Sequence, residues 1–364
     1  MRKTHVIISV LLVFAFIAMI IFMFSRRENL VVEKNEDISV VMFNQPFNNN
    51  YRIFNVSSSN YKDNRILLCF RLSNITKCSR RFRMNFSYDD NVVKNYVLLA
   101  DVDEKTLEIT KYQKLFLPQN IQKLLQNSIY SNLVNKDPNW GVEDVRIIYD
   151  KDTDMLLFVG NLPVVHDYIQ NIMYLGYGKK DENGEWQIIK ETLLYPNFDS
   201  INKIQKNWIP ILDDGFLFFI YSIDPFIVVQ CNPNTGSCHI VKYLEHIHNF
   251  NLKSNETLRG STQGIKVDDK YYAVGHLTIE IGNQRKYQHF FMRFDSSFKT
   301  IEFSQLFCFD EQLNYCTDIQ FAMGLTYVKD LDTFYITYGE NDCDSKLYKI
   351  SKENVDNLFL LKDF

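Results

Sequence analysis

The chain is poor in the residues that punctuate loops, with 13 glycines and 8 prolines among 364 residues. No Pro/Gly/Ser-rich linker and no low-complexity tract interrupts it, which excludes loosely tethered modules and a long disordered region. It also lacks a dominant charge. Forty Lys and Arg against 44 Asp and Glu leave a formal net charge of −4, so there is no electrostatic footprint for nucleic acid. A phosphate-cradling glycine loop, a Gly-x-Ser-x-Gly elbow, the kinase motif set and His-Glu-x-x-His are all missing. Their absence excludes the chemistries those motifs carry. His246 and His248 stand apart from other ligand types, so no metal site is expected.

What is present points to strands. Hydrophobic residues make up 46% of the chain and aromatics 15%, the profile of a well-cored, strand-rich globule. The exception is the start. Residues 6–24 carry no charge and are bracketed by Arg2-Lys3 and Arg26-Arg27. At 1.5 Å per residue this run nearly matches the roughly 30 Å hydrocarbon core of a bilayer. It reads as a transmembrane signal anchor, with 1–5 as a cytoplasmic tail, 25–38 as a stem and 39–364 as a lumenal folded domain. A cleaved signal peptide is the alternative, but its apolar core is usually about 7–15 residues and ends at small residues.

Cysteine and asparagine agree with a lumenal placement. Cys69 and Cys78, Cys231 and Cys238, and Cys308 and Cys316 form three local couples across short polar segments, with Cys343 left over. Asn55, Asn74, Asn85 and Asn255 each begin an Asn-x-Ser/Thr tripeptide. Together these features favour an oxidising compartment and glycosylation at Asn74, Asn85 and Asn255. Reduced, buried cysteines in a cytosolic domain are the competing reading.

Beyond the stem, a unit recurs five times: a polar cluster, a strand, a turn rich in Asp or Asn, then an apolar strand. The units are centred on the turns at 61–64, 150–154, 213–215, 268–270 and 329–332. From the second unit on they lie roughly sixty residues apart, against about 40–50 for typical propeller repeats. Further strand candidates at 96–100, 172–177 and 290–294 supply outer strands. Four strands per unit and five units predict an all-β, five-bladed β-propeller. A helical pattern at 118–127 reads as an insertion after the first blade. A β-sandwich is the alternative, but it does not predict five like hairpins.

In a propeller the innermost strands run along one axis, so their polar clusters meet in a central funnel. That geometry would collect Asn55, Glu143, Asp144, Arg146, Lys206, Asn207, Arg259, Ser261 and Thr262. Carboxylates interleaved with cations suit a polyhydroxylated or anionic ligand, and such neighbours tune a carboxyl for proton transfer. The competing reading is an inward salt-bridge network that only holds the blades together. Trp140 and Trp208 could stack on sugars or simply pack in the core. His276, at the end of an apolar strand, could reach the rim. The Asp-x-Asp pairs at 101/103, 152/154, 330/332 and 342/344 fit turns better than a metal site.

The run Gly141-Val142-Glu143-Asp144-Val145-Arg146 resembles the Gly-x-Glu-Asp-Pro-Arg signature of the β-mannoside phosphorylases, glycoside hydrolase family 130, and of related propeller mannosyltransferases. Lys206-Asn207, the run 221–225, Arg259-Gly260-Ser261-Thr262 and the hairpin ending at Arg71 match in order over roughly residues 50–350. The resemblance implies that Asp144 is the proton donor. It further implies that Arg71, Arg146, Lys206, Asn207, Arg259 and His276 grip phosphate and sugar. Val145 departs from the family's proline, and a membrane anchor does not suit a catabolic phosphorylase.

The expectation is therefore a single-pass type II membrane enzyme of the endoplasmic reticulum or Golgi lumen. It would transfer a hexose, mannose above all, to or from a glycan or small sugar. Its co-substrate would be inorganic phosphate or a sugar nucleotide, and no other cofactor is implied. Asp144 would be catalytic, and Asn55, Arg71, Glu143, Arg146, Lys206, Asn207, Trp208, Arg259, Ser261 and His276 would bind substrate. A non-catalytic glycan- or protein-binding propeller is the alternative.

Overall fold

The computed structural model describes residues 32–34, 40–44, 51–76, 78, 85–86, 93–133, 135–137, 140–165, 169–199, 205–282, 284–309, 316 and 319–360. The expected anchor, 6–24, lies outside them. Among the described residues no helix is long and apolar enough to cross a membrane.

Five antiparallel blades follow one another along the chain. Blade 1 is built from Arg52–Tyr61, Arg65–Ser73, Asn95–Asp103 and Ile109–Leu115, and blade 2 from Glu143–Asp150, Met155–Val165, Ile169–Lys180 and Trp186–Pro196. Blade 3 comprises Ile209–Asp213, Phe216–Ile223, Phe226–Cys231 and Ser237–Leu244. Blade 4 has a split innermost strand, Glu256–Gly260 and Ile265–Val267, followed by Lys270–Ile281, Gln284–Phe294 and Ile301–Phe303. Blade 5 comprises Gln320–Val328, Thr333–Glu340 and Asp344–Ser351, and its fourth strand is Val40–Phe43 from the other end of the chain. Val32–Lys34, inside the segment expected to be a stem, adds a fifth strand to that blade.

The packing shows that the ring is closed. Successive side chains on a strand point to opposite faces, so each blade feeds two seams. Leu67 and Cys69 join Ile147, Leu156 and Phe158 between blades 1 and 2. Their neighbours Ile66, Leu68 and Phe70 join Val328, Tyr335 and Leu347 between blades 5 and 1. Leu157 and Val159 meet Leu217 and Phe219 between blades 2 and 3. Ile211 and Val228 meet Ala273 and Phe290 between blades 3 and 4, and Val274 and Phe291 meet Ala322 and Phe334 between blades 4 and 5. Five seams for five blades define a closed propeller and leave a central axis lined by the innermost strands.

Several local expectations change. The helix after blade 1 is Ile121–Gln126, capped by Asn120, whose side chain accepts from the Lys123 N–H. Pro118 lies ahead of that cap. A second helix, Lys352–Leu360, follows blade 5 and was not expected. Its only fully buried side chain is Val355, so its apolar periodicity is faint in the sequence.

The cysteine pairing is also corrected. Cys231–Cys238 and Cys308–Cys316 form, but Cys69 does not pair with Cys78. Cys69 is a free, buried thiol facing the seam between blades 1 and 2, and burial pushes it up to about 12. Cys78 bonds instead to Cys343 of blade 5. Three disulfides are the mark of folding in an oxidising, extracytoplasmic compartment. Asn55 is only 2% exposed, which removes its tripeptide as a glycosylation acceptor.

Candidate active site

Three innermost strands present an Asn or Asp at the funnel by the same device. Asn55, Asp144 and Asn207 all have left-handed backbone conformations, with φ of 49°, 52° and 61°. Asn and Asp tolerate this region better than other side-chain-bearing residues. In blades 1 and 2 the residue sits in a β-bulge, where the register shifts between Phe54 and Ser57 and between Val159 and Asn161. A bulge bends the strand and re-aims a side chain. Here it turns a residue that would face a seam toward the axis.

Asp144 is the centre of the resulting cluster. Its Oδ1 accepts from Asn55 Nδ2 at 3.0 Å and from an Arg71 terminal nitrogen at 3.2 Å. The side chain retains 15% exposure. Burial pushes its pKa up, but the Arg71 charge, the Asn55 N–H and the charges of Arg146 and Lys206 outweigh that. Together they hold it below the ordinary Asp value, so the resting group is a carboxylate.

Glu143 is engaged differently. It accepts from Arg71, from Asn95 Nδ2 at 3.3 Å and from the Trp140 indole N–H at 2.8 Å. Three donors on one carboxyl make it a clamp that fixes Arg71 and Trp140. Trp140 is partly buried and tied to Glu143 through its N–H.

Arg146 lies beneath the funnel floor and is 0% exposed. Its Nε donates to the Ser261 carbonyl at 2.6 Å, one terminal nitrogen to the Asp144 carbonyl at 2.8 Å and the other to Asn207 Oδ1 at 3.4 Å. The guanidinium also faces the Phe321 ring at 5.5 Å. It therefore ties blades 2, 3, 4 and 5 together, and burial lowers it to about 10. This is the bracing role, in place of the phosphate grip that the resemblance implied.

Ser261 and His276 are likewise wholly buried, with Ser261 Oγ 2.7 Å from His276 Nδ1. They back the wall behind Arg146 and do not reach the opening. Burial, with the nearby His289, Arg259 and Arg146, holds His276 well below the ordinary histidine value. Trp208 is 1% exposed and packs against Phe219 and Tyr221 in the seam between blades 2 and 3, so it cannot stack on a ligand.

Lys206 and Arg259 are exposed. Lys206 acts on the charge of Asp144, and Arg259 on Tyr287, which Asp144 also influences. Neither cation forms an ion pair among the described residues.

Two participants have no counterpart in the expected set. Asp342, on the hairpin between the second and third strands of blade 5, accepts from Asn55 Nδ2 at 3.2 Å and acts on the charge of Arg71. Gly339, on the same hairpin, leaves no room for a side chain. A Cβ there would lie 1.9 Å from Asn55 Oδ1. The Asp-x-Asp residues at the other turns cap and brace them, as Asp103 does for the Lys105 and Thr106 N–H groups.

The closed five-blade ring has counterparts among solved structures. The chain superposes on β-1,2-mannobiose phosphorylase from Listeria innocua with a TM-score of 0.56 and 14% identity, over 91% of this chain and 99% of that one. It also superposes on a β-1,3-galactosidase of glycoside hydrolase family 43, with a TM-score of 0.51 and 10% identity over 82% and 90% of the two chains. A GDP-Man-dependent mannosyltransferase from Leishmania mexicana aligns with a TM-score of 0.47 and 12% identity over 91% and 92%. No protein-family model matches the sequence, and neither does a curated relative. At these identities the likeness concerns the fold.

Proposed function

We propose that the chain is a glycosyl-transferring enzyme that moves a hexose of the mannose type to or from a glycan. Inorganic phosphate or a sugar nucleotide would serve as co-substrate. The supporting observation is a nearly buried carboxylate, Asp144, within charge range of the exposed Lys206, with the exposed Arg259 on an innermost strand of blade 4; neither cation forms an ion pair among the described residues. Asp144 exchanges the proton, while Lys206 and Arg259 receive the phosphate oxygens of donor or leaving group. Arg71 and the buried Asn55 orient Asp144, and Asp342 lines the sugar site beside it.

The ionised resting state of Asp144 supports one order of events. With the cations unoccupied, Asp144 is a base suited to an acceptor hydroxyl. A phosphate dianion settling between Lys206 and Arg259 offsets their charge and raises the affinity of Asp144 for a proton. The group then becomes an acid toward a glycosidic oxygen, directly or through a sugar hydroxyl.

Residues 6–24 are proposed to anchor the chain in the membrane with the propeller in the lumen of the secretory pathway. Asn255 is exposed and is the best-placed glycosylation acceptor, with Asn74 and Asn85 as further candidates. The test is turnover by the purified chain against a panel of sugar phosphates and sugar nucleotides, with Asp144→Asn in parallel. A chain that binds glycans tightly without turnover would support the receptor reading instead.

A further inference from the structure

The Cys78–Cys343 disulfide differs from the other two in what it joins. Cys231–Cys238 and Cys308–Cys316 span 7 and 8 residues, whereas Cys78–Cys343 spans 265 and links blade 1 to blade 5. Cys343 directly follows Asp342, and the turn is tight. Asn341 and Asp342 both have positive φ, 55° and 50°, and the Cys343 N–H donates to the Glu340 carbonyl at 3.0 Å. Two consecutive left-handed residues without a glycine are a demanding hairpin. This one carries the Asp342 carboxylate to Asn55, the residue that also holds Asp144.

The bond is also placed to be opened. Cys78 is exposed, and a terminal nitrogen of Arg52 lies 3.0 Å from both sulfurs. A cation beside a sulfur stabilises the thiolate that departs in thiol–disulfide exchange and so speeds the exchange.

We infer that Cys78–Cys343 is an exchange-labile latch that sets the position of Asp342, so that the funnel is assembled when the latch is closed and loosened when it is open. The functional half rests on the saccharide-site reading above. In the opening step an external thiolate attacks Cys78 Sγ, forming a mixed disulfide and releasing Cys343 as the thiolate that Arg52 stabilises. A second external thiol then attacks the mixed disulfide and frees Cys78. Two electrons reduce the protein bond, and two external thiols leave as one disulfide.

The full, oxidised chain in graded glutathione buffers, with thiols trapped by differential alkylation, tests the latch. Cys78–Cys343 is expected to open about tenfold faster than either short-loop disulfide, and Arg52→Gln to slow it several-fold. Opening last, or at the common rate, overturns the lability. An unchanged rate in Arg52→Gln overturns the part given to the guanidinium.

Amide hydrogen exchange on the selectively opened protein tests the positioning. Faster exchange confined to 341–344, with methyl α-mannoside binding weakened several-fold, is expected. Unchanged exchange and affinity overturn it. If the oxidised chain binds no saccharide, the functional reading fails, while alkylation and exchange still decide whether the latch exists.

Discussion

The Asn55 side-chain nitrogen lies 3.0 Å from Asp144 Oδ1 and 3.2 Å from Asp342 Oδ1, so one amide of blade 1 spans carboxylates of blades 2 and 5. The two acceptors also fix which end of the Asn55 amide is nitrogen. Its oxygen rests over Gly339, which has no side chain to displace it.

That bridge sets the state of Asp144. Asn55→Ala removes an N–H that favours the carboxylate, so the Asp144 pKa should rise. Where Asp144 acts as a base, the acid limb of turnover should then move to higher pH. Losing a hydrogen bond to a charged group costs about 1.5–3 kcal/mol, or roughly 10- to 150-fold in turnover. Gly339→Ala should act in the same direction by displacing Asn55, although it touches neither carboxylate. A pH–rate profile of each variant checks this.

The three cations of the inner strands should separate in their effects. Arg146→Met leaves two buried carbonyls and Asn207 without a donor. About 1–3 kcal/mol of stability should be lost for each acceptor left unsatisfied, read as a lowered denaturation midpoint. Lys206→Ala and Arg259→Ala remove exposed groups and should leave that midpoint in place while weakening phosphate binding. Calorimetric titration with phosphate, beside urea denaturation, distinguishes the two outcomes.

Two buried histidines make stability depend on pH. Burial pushes His289 down to about 3 and His276 well below 6.5. The unfolded chain takes up protons on both below about pH 6.5, and the folded chain does not. Stability is therefore full above that pH and falls as pH drops from 6.5 toward about 3, by up to 1.36 kcal/mol per unit for each histidine. His289→Phe should flatten the dependence in that window, as measured by denaturation midpoints between pH 4 and 7.

Peptide mapping under non-reducing conditions should find Cys78 joined to Cys343 and Cys69 free. Cys69→Ala should leave all three disulfides intact. A Cys69-containing bridge in the mapped protein would contradict the free Cys69 thiol.

Much of the architecture was legible because propellers repeat. Apolar runs such as Ile66-Leu67-Leu68-Cys69 and the Asp-rich turns located the inner hairpins, and from them the contact of Asn55 with Asp144. The alternation held a further signal: Cys69 follows Leu67 onto one face of a central strand, an awkward place for a bond to a loop cysteine. Asp342 comes from a hairpin of outer strands, outside the innermost-strand pattern that marks the other site residues. Gly339 matters through a tertiary approach that no local pattern encodes. The depth of Arg146 was hidden for a similar reason, since its three acceptors belong to three different blades.

The proposed transfer depends most on Asp144 as the proton-exchanging group. The direct measurement is single-turnover glycosyl transfer by the native chain and by Asp144→Asn, over the same sugar phosphates and sugar nucleotides. Measurable turnover by the native chain, reduced at least about a hundredfold in Asp144→Asn with saccharide binding retained, is the predicted result. Equal rates in the two proteins would contradict it.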